Sequence, residues 1–273
     1  MTDHGRLAAA RSLRGGLTLR AMVPNAITAA ALCVGLTGIR FAIAGDFERS
    51  VQAVILAGML DGIDGRAARL LKAQSRFGAE LDSLADSISF GVAPALIIYL
   101  WTLQSLPSVG WFAALAFAIC CVLRLARFNT RLDADDQPHK SAGFLTGVPA
   151  PVGAGLAFLP MYLWLASDHW EIFASPILVG AWLALIAFLM ISSVPTLSWS
   201  KLRPRRHIRL ELIALTGLVV AALLTEPWLT LVGITVVYLL LIPVGLINYA
   251  RIKRQREERI AKVVPVDLPQ DGV

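Results

Sequence analysis

The sequence predicts an all-α protein that crosses a membrane about eight times, a six-helix core followed by two further C-terminal helices. Two observations predict it. Hydrophobic residues make up 56% of the 273 and fall in blocks of roughly 20, the length that spans hydrocarbon at about 1.5 Å rise per residue. Threading those blocks from a cytosolic N-terminus also places 23 of the 25 Lys and Arg residues on one side. That is the positive-inside bias, and it requires an even number of spans with both termini in the cytosol.

Taken in order, a basic segment 1–21 carrying Arg6, Arg11, Arg14 and Arg20 precedes the first span, Val23–Ala44. This span is too long for the core of a cleavable signal peptide and lacks a small-residue cleavage site, so it is read as retained. Arg40, late within it, is expected to snorkel to the outer surface. Val51–Arg69 and Gly78–Leu103 follow, joined by a basic turn from Arg66 to Arg76. Val109–Phe128 is the fourth span. The fifth, Leu145–Ala166, starts within FLTGVPAPVGAG, where prolines and glycines predict an irregular lead-in. Ile172–Val194 closes the core; Leu210–Leu224, short enough to belong to a re-entrant pair, and Trp228–Tyr249 complete the set. The expected division is 1–21 as a basic N-terminal segment, 22–195 as the core, 196–250 as the two extra helices with their basic loop, and 251–273 as a basic tail. Candidate linkers are Asp133–Lys140 and Ser198–His207.

The net charge of +6 is spread over cytosolic turns beside an anionic leaflet, which accounts for it without nucleic acid. Cys33, Cys120 and Cys121 lie inside predicted spans, so neither a disulfide framework nor a thiolate metal site is expected. His4, His139, His169 and His207 lack zinc-site spacing.

The chemistry concentrates between Asp61 and Asp86, where the chain reads DGIDGRAARLLKAQSRFGAELDSLAD. A single ionised group near hydrocarbon costs about 2.5–3.5 kcal/mol on insertion scales, so four carboxylates imply compensating cations. With one helix ending near Leu70, Asp61, Asp64, Gly65, Ala68 and Arg69 share a face; with another starting near Gly78, Gly78, Asp82 and Asp86 form a stripe. Two such helices meeting would gather four carboxylates, with small residues leaving room beside them. An all-oxygen site suits Mg²⁺ or Mn²⁺. Intramembrane acids also mark ion pathways, so a cation transporter is the non-enzyme alternative; it fits less well, because these acids lie near one interface and no inverted repeat is visible.

The spacing Asp61-x2-Asp64-Gly65-x2-Ala68-Arg69-x8-Gly78-x3-Asp82-x3-Asp86 resembles the complete signature of the CDP-alcohol phosphotransferase family. The resemblance implies a transferase with two divalent cations, Mg²⁺ or Mn²⁺, ligated by Asp61, Asp64, Asp82 and Asp86, with Asp86 as general base. It implies that Asp61, Asp64, Gly65, Ala68, Arg69, Gly78 and Asp82 hold the CDP portion of the donor, and that the chain forms a homodimer in a bacterial inner membrane with its active site facing the cytosol. SISFGVAPA at Ser87–Ala95, RLARFN at Arg124–Asn129 and FLTGVPAPVGAG at Phe144–Gly155 are similar to the membrane-type phosphatidylserine synthase branch of that family over residues 22–195. This implies CDP-diacylglycerol as donor and L-serine as acceptor. Arg124, Arg127 and Asn129 become candidates for contacting the serine carboxylate or a donor phosphate, or for simply anchoring a helix end. Glycerol-3-phosphate, inositol phosphate and choline are the alternative acceptors.

Overall fold

A computed structural model describes residues 19–132, 144–192, 195–197 and 209–243. Most of the basic segment 1–21, the linkers Asp133–Lys140 and Ser198–His207, the basic tail, and His4, His139 and His207 therefore lie outside the described residues. Two compact units are present, one within Met1–Asp133 and Pro149–Ile191, the other within Ala134–Val148 and Ser192–Val273.

In the first unit, α1 (Leu19–Ile43) and α2 (Phe47–Leu70) form an antiparallel pair. The hairpin between them is tight because Gly45 takes a positive φ of 78° and Asp46 caps α2, accepting from Arg49 N at 3.0 Å. Small residues let the backbones approach: a Cβ added at Gly38 would lie 3.1 Å from Ser50 O, and Ser50 Oγ donates to Gly38 O at 2.7 Å. Ser50, Val51, Ala53, Val54 and Ala57 are buried along this seam. The C-terminal end of α2, which carries the acids, thereby returns to the level of Pro24–Thr28 on α1.

The basic turn then closes in a Schellman motif. Ala73 N donates to Ala68 O at 2.9 Å and Lys72 N to Arg69 O at 3.2 Å, with Lys72 left-handed at φ 51°, a place glycine usually fills. Ser75 caps α3 (Arg76–Asp86) by accepting from Gly78 N at 3.0 Å. A π-helical turn, Ser87–Val92, and α4 (Ala93–Trp101) continue it. Ser89, Phe90 and Gly91 are buried in succession, so the middle of this turn is packed inside the unit. Gly91 permits it: a Cβ there would meet Cys121 Cβ at 3.1 Å.

A 3₁₀ turn, Leu103–Ser105, leads into α5 (Pro107–Leu132). The next span departs from expectation. Instead of a continuous Leu145–Ala166, α6 (Ala150–Ala157) and α7 (Leu159–Ala166) are separated at Phe158. The cause is Pro160, which has no N–H for the carbonyl of Leu156; Trp182 Nε1 supplies the missing donor at 2.9 Å. That tryptophan sits on α8 (Pro176–Ile191), shorter than the predicted Ile172–Val194 and preceded by a 3₁₀ turn at Glu171–Ala174. Ile97, Phe117, Met161, Leu183 and Ile186 are fully buried in this unit, while Phe112, Ile177 and Phe188 are exposed where lipid would lie.

The second unit holds a short antiparallel ribbon, β1 (Phe144–Thr146) with β2 (Pro195–Leu197), Leu145 facing Thr196. It replaces the predicted start of the fifth span and lies just past the predicted end of the sixth, Val194. Helix α9 (Arg209–Thr225) and helix α10 (Pro227–Pro243) follow. Among the described residues the fold is all-α apart from this ribbon. By length and composition, Met22–Ile43, Arg76–Trp101 and Pro107–Thr130 suffice to cross a membrane; Pro176–Ile191, Ile213–Thr225 and Pro227–Pro243 are shorter apolar helices. Helix α2 falls outside both groups because the acids and bases of its C-terminal half dilute its apolar character.

Candidate active site

Helices α2 and α3 bring the acids together across the basic turn. One carboxylate oxygen from each of Asp61, Asp64 and Asp82 lies within 4.8 Å of the others. Asp64 is buried, 3% exposed, and its two companions are half-buried. Asp86, one turn beyond Asp82, comes within hydrogen-bonding reach of Asp61. Carboxylates this close repel by roughly 3–4 kcal/mol per pair at an effective dielectric of 20, so the arrangement calls for positive charge among them. Three hard oxygen donors converging from two helices suit a divalent cation.

Beside the acids opens a cavity of ≈ 230 Å³ lined by Pro24, Asn25 and Thr28 of α1, Asp64, Gly65 and Ala68 of α2, Ala73–Ser75 of the turn, and Gly78, Ala79 and Asp82 of α3. Its two glycines differ. A Cβ at Gly65 would meet nothing within 4 Å, whereas one at Gly78 would lie 2.9 Å from Asn25 Oδ1 and 3.1 Å from Ser75 Oγ. Packing therefore explains Gly78; at Gly65 the space belongs to the cavity. Asn25 Nδ2 is buried there with no hydrogen-bond partner, an atom whose desolvation is uncompensated within the chain.

The remaining predicted residues lie around this centre. Arg69 is exposed, and its Nε donates to Gly65 O at 3.0 Å; it does not line the cavity. Asn129 donates to Ser83 Oγ at 2.8 Å, tying the end of α5 to the helix that carries Asp82. Exposed Arg127 reaches Ile191 O at 3.3 Å. Arg124 is half-buried on α5, one turn before Phe128.

Sequence reasoning missed the contribution of α1. Thr28 Oγ1 donates to Asp64 Oδ2 at 2.5 Å, and Asn25 faces Gly78. The available signal was polar Asn25 and Thr28, three apart behind Pro24 in an otherwise apolar span.

Residues 21–192 match the family model described as CDP-alcohol phosphatidyltransferase. The chain belongs to that family. A second model, CDP-alcohol phosphatidyltransferase 2, matches residues 207–243, covering all of α9 and α10. A CDP-diacylglycerol–serine O-phosphatidyltransferase of Mycobacterium leprae is 37% identical over 229 residues, 83% of this chain and 75% of the relative. The enzyme of the same name from Helicobacter pylori is 33% identical over 187 residues, 67% of this chain and 74% of its own. That from Bacillus subtilis is 34% identical over 172 residues, 63% and 88% respectively. For a CDP-alcohol phosphatidyltransferase, the acid cluster on α2 and α3 fits divalent-metal binding.

Proposed function

We propose that the protein is a membrane-embedded phosphatidylserine synthase, transferring the phosphatidyl group of CDP-diacylglycerol to L-serine with release of CMP. The observation that carries the reading is the convergence of Asp61, Asp64 and Asp82 beside a cavity whose Gly65 wall is open. The names of the relatives support serine as the acceptor.

In this reading Asp61, Asp64 and Asp82 hold two divalent cations, Mg²⁺ or Mn²⁺, with Asp86 able to contribute. Such ions neutralise a pyrophosphate and stabilise attacking and leaving oxygens. Gly65 and Ala68 leave room for the CDP portion, Gly78 lines the same cavity while packing against Asn25, and Arg69 lies one helical turn from Gly65 for a phosphate contact. The serine hydroxyl oxygen forms a bond to the phosphorus bearing diacylglycerol. Its proton passes to Asp86, the P–O bond to CMP breaks, and CMP departs with the electron pair. None of the fixed positions of the motif is a His, Cys or Lys, so a single displacement is the simpler route. Arg124 and Arg127, at the same end of the molecule, suit the serine carboxylate or a donor phosphate.

The reading places the site at the cytosolic face of a bacterial inner membrane, with both termini cytosolic, following the distribution of Lys and Arg. A homodimer packed through transmembrane helices completes it, as do the expected boundaries: a basic N-terminal segment 1–21, a catalytic core 22–195, two extra helices within 196–250 and a cytosolic tail 251–273.

Purified protein in CDP-diacylglycerol micelles, offered L-serine, glycerol-3-phosphate, inositol phosphate and choline separately, tests the acceptor. Phosphatidylserine and CMP formed together with serine alone are expected. Turnover with a different alcohol would leave the transfer chemistry standing and remove serine from it.

A further inference from the structure

We infer that Thr28 is a positioning residue for the metal site, fixing the orientation in which the Asp64 carboxylate serves as a ligand. The inference rests on the reading of the acid cluster as a divalent-cation site. Thr28 belongs to α1, 36 residues before Asp64, and is 5% exposed against 3% for Asp64. Its Oγ1 lies 2.5 Å from Asp64 Oδ2 and 3.1 Å from Pro24 O. A hydroxyl has one proton for these two acceptors. The Pro24 carbonyl is already served by the backbone N–H of Thr28 in a regular helix, whereas an ionised carboxylate is the stronger acceptor and favours O–H···O⁻ separations of about 2.5–2.7 Å. The proton therefore goes to Asp64.

This contact fixes the orientation of the Asp64 carboxylate from α1 and so aims its remaining lone pairs at a cation beside Asp61 and Asp82. Groups that orient metal ligands in this way typically contribute about 10- to 100-fold to metal affinity. Helix α1 thus braces both acid-bearing helices, with Thr28 set against Asp64 of α2 and Asn25 against Gly78 of α3.

The test measures Mn²⁺ binding to the full chain in detergent, without substrate, from the loss of the free-ion paramagnetic resonance signal. The metal concentration for half-maximal CMP release is measured alongside. Thr28→Val should weaken Mn²⁺ binding about 10- to 100-fold and raise the half-saturating metal concentration in step, while the rate at saturating metal changes much less. Thr28→Ser retains the hydroxyl and should bind within about threefold of wild type. Thr28→Ala carries the same expectation as Thr28→Val should the latter not be recovered folded. Wild-type affinity in folded Thr28→Val or Thr28→Ala, or a Thr28→Ser as weak as they are, would overturn the inference. Wild-type protein that takes up no Mn²⁺ would overturn the metal reading itself, and the inference with it.

Discussion

Asn25 Oδ1 stands 2.9 Å from where a Cβ on Gly78 would be, so the first helix and the second acid-bearing helix touch at a position that tolerates no side chain without movement. Gly65, across the same cavity, has no such neighbour. The two glycines of one motif thus answer to different constraints, and substitution separates them.

Gly65→Ala should leave thermal stability unchanged or raise it, since alanine is favoured over glycine by about 0.5–1 kcal/mol within a helix. CMP release should nevertheless fall about 10- to 100-fold, because the added methyl enters space the donor needs. Gly78→Ala should lose both activity and stability, the latter by about 1 kcal/mol, because it crowds Asn25 and the Ser75 cap. Thermal unfolding and CMP release on both variants check the contrast; a destabilised Gly65→Ala would contradict it.

Asn129 and Ser83 form one unit. Asn129→Ala and Ser83→Ala should each cost about 1 kcal/mol, with a coupling of roughly 0.5–1.5 kcal/mol in a double-mutant cycle. Zero coupling, accompanied by a raised serine KM in Asn129→Ala alone, would instead assign Asn129 to the acceptor.

Arg127 spends only one long bond, to Ile191 O at 3.3 Å, within the described protein. Arg127→Ala should therefore raise KM for serine or for the donor about tenfold, in line with the loss of a hydrogen bond from a charged group, with little effect on thermal stability. Unchanged KM for both substrates would remove Arg127 from the site.

Asp86→Asn should lower kcat by about 10²- to 10⁴-fold, the usual contribution of a general base, while donor KM changes little. With a donor made chiral at the lipid-bearing phosphorus, a single displacement inverts configuration. Net retention would require a covalent intermediate.

The meeting of the two acid-bearing helices was legible because the carboxylates repeat at helical spacing and the small residues share their faces. The brace from α1 was not. Asn25 and Thr28 sit in an apolar stretch whose hydropathy identifies a span but says nothing about which face meets a neighbour. The break at Phe158 was written in Pro160, yet its tolerance depends on Trp182, 22 residues further on, offering an indole N–H to Leu156 O. The ribbon joining Phe144–Thr146 to Pro195–Leu197 pairs segments about 50 residues apart, beyond the reach of local periodicity.

The most direct measurement compares serine-dependent CMP release by wild-type protein and Asp82→Asn in the same CDP-diacylglycerol micelles, before and after chelation and on adding back Mn²⁺ or Mg²⁺. The account predicts wild-type turnover that disappears with chelator and returns with either ion, and a folded Asp82→Asn that stays inactive at every metal concentration. Turnover that persists in chelator, or in Asp82→Asn, would contradict it.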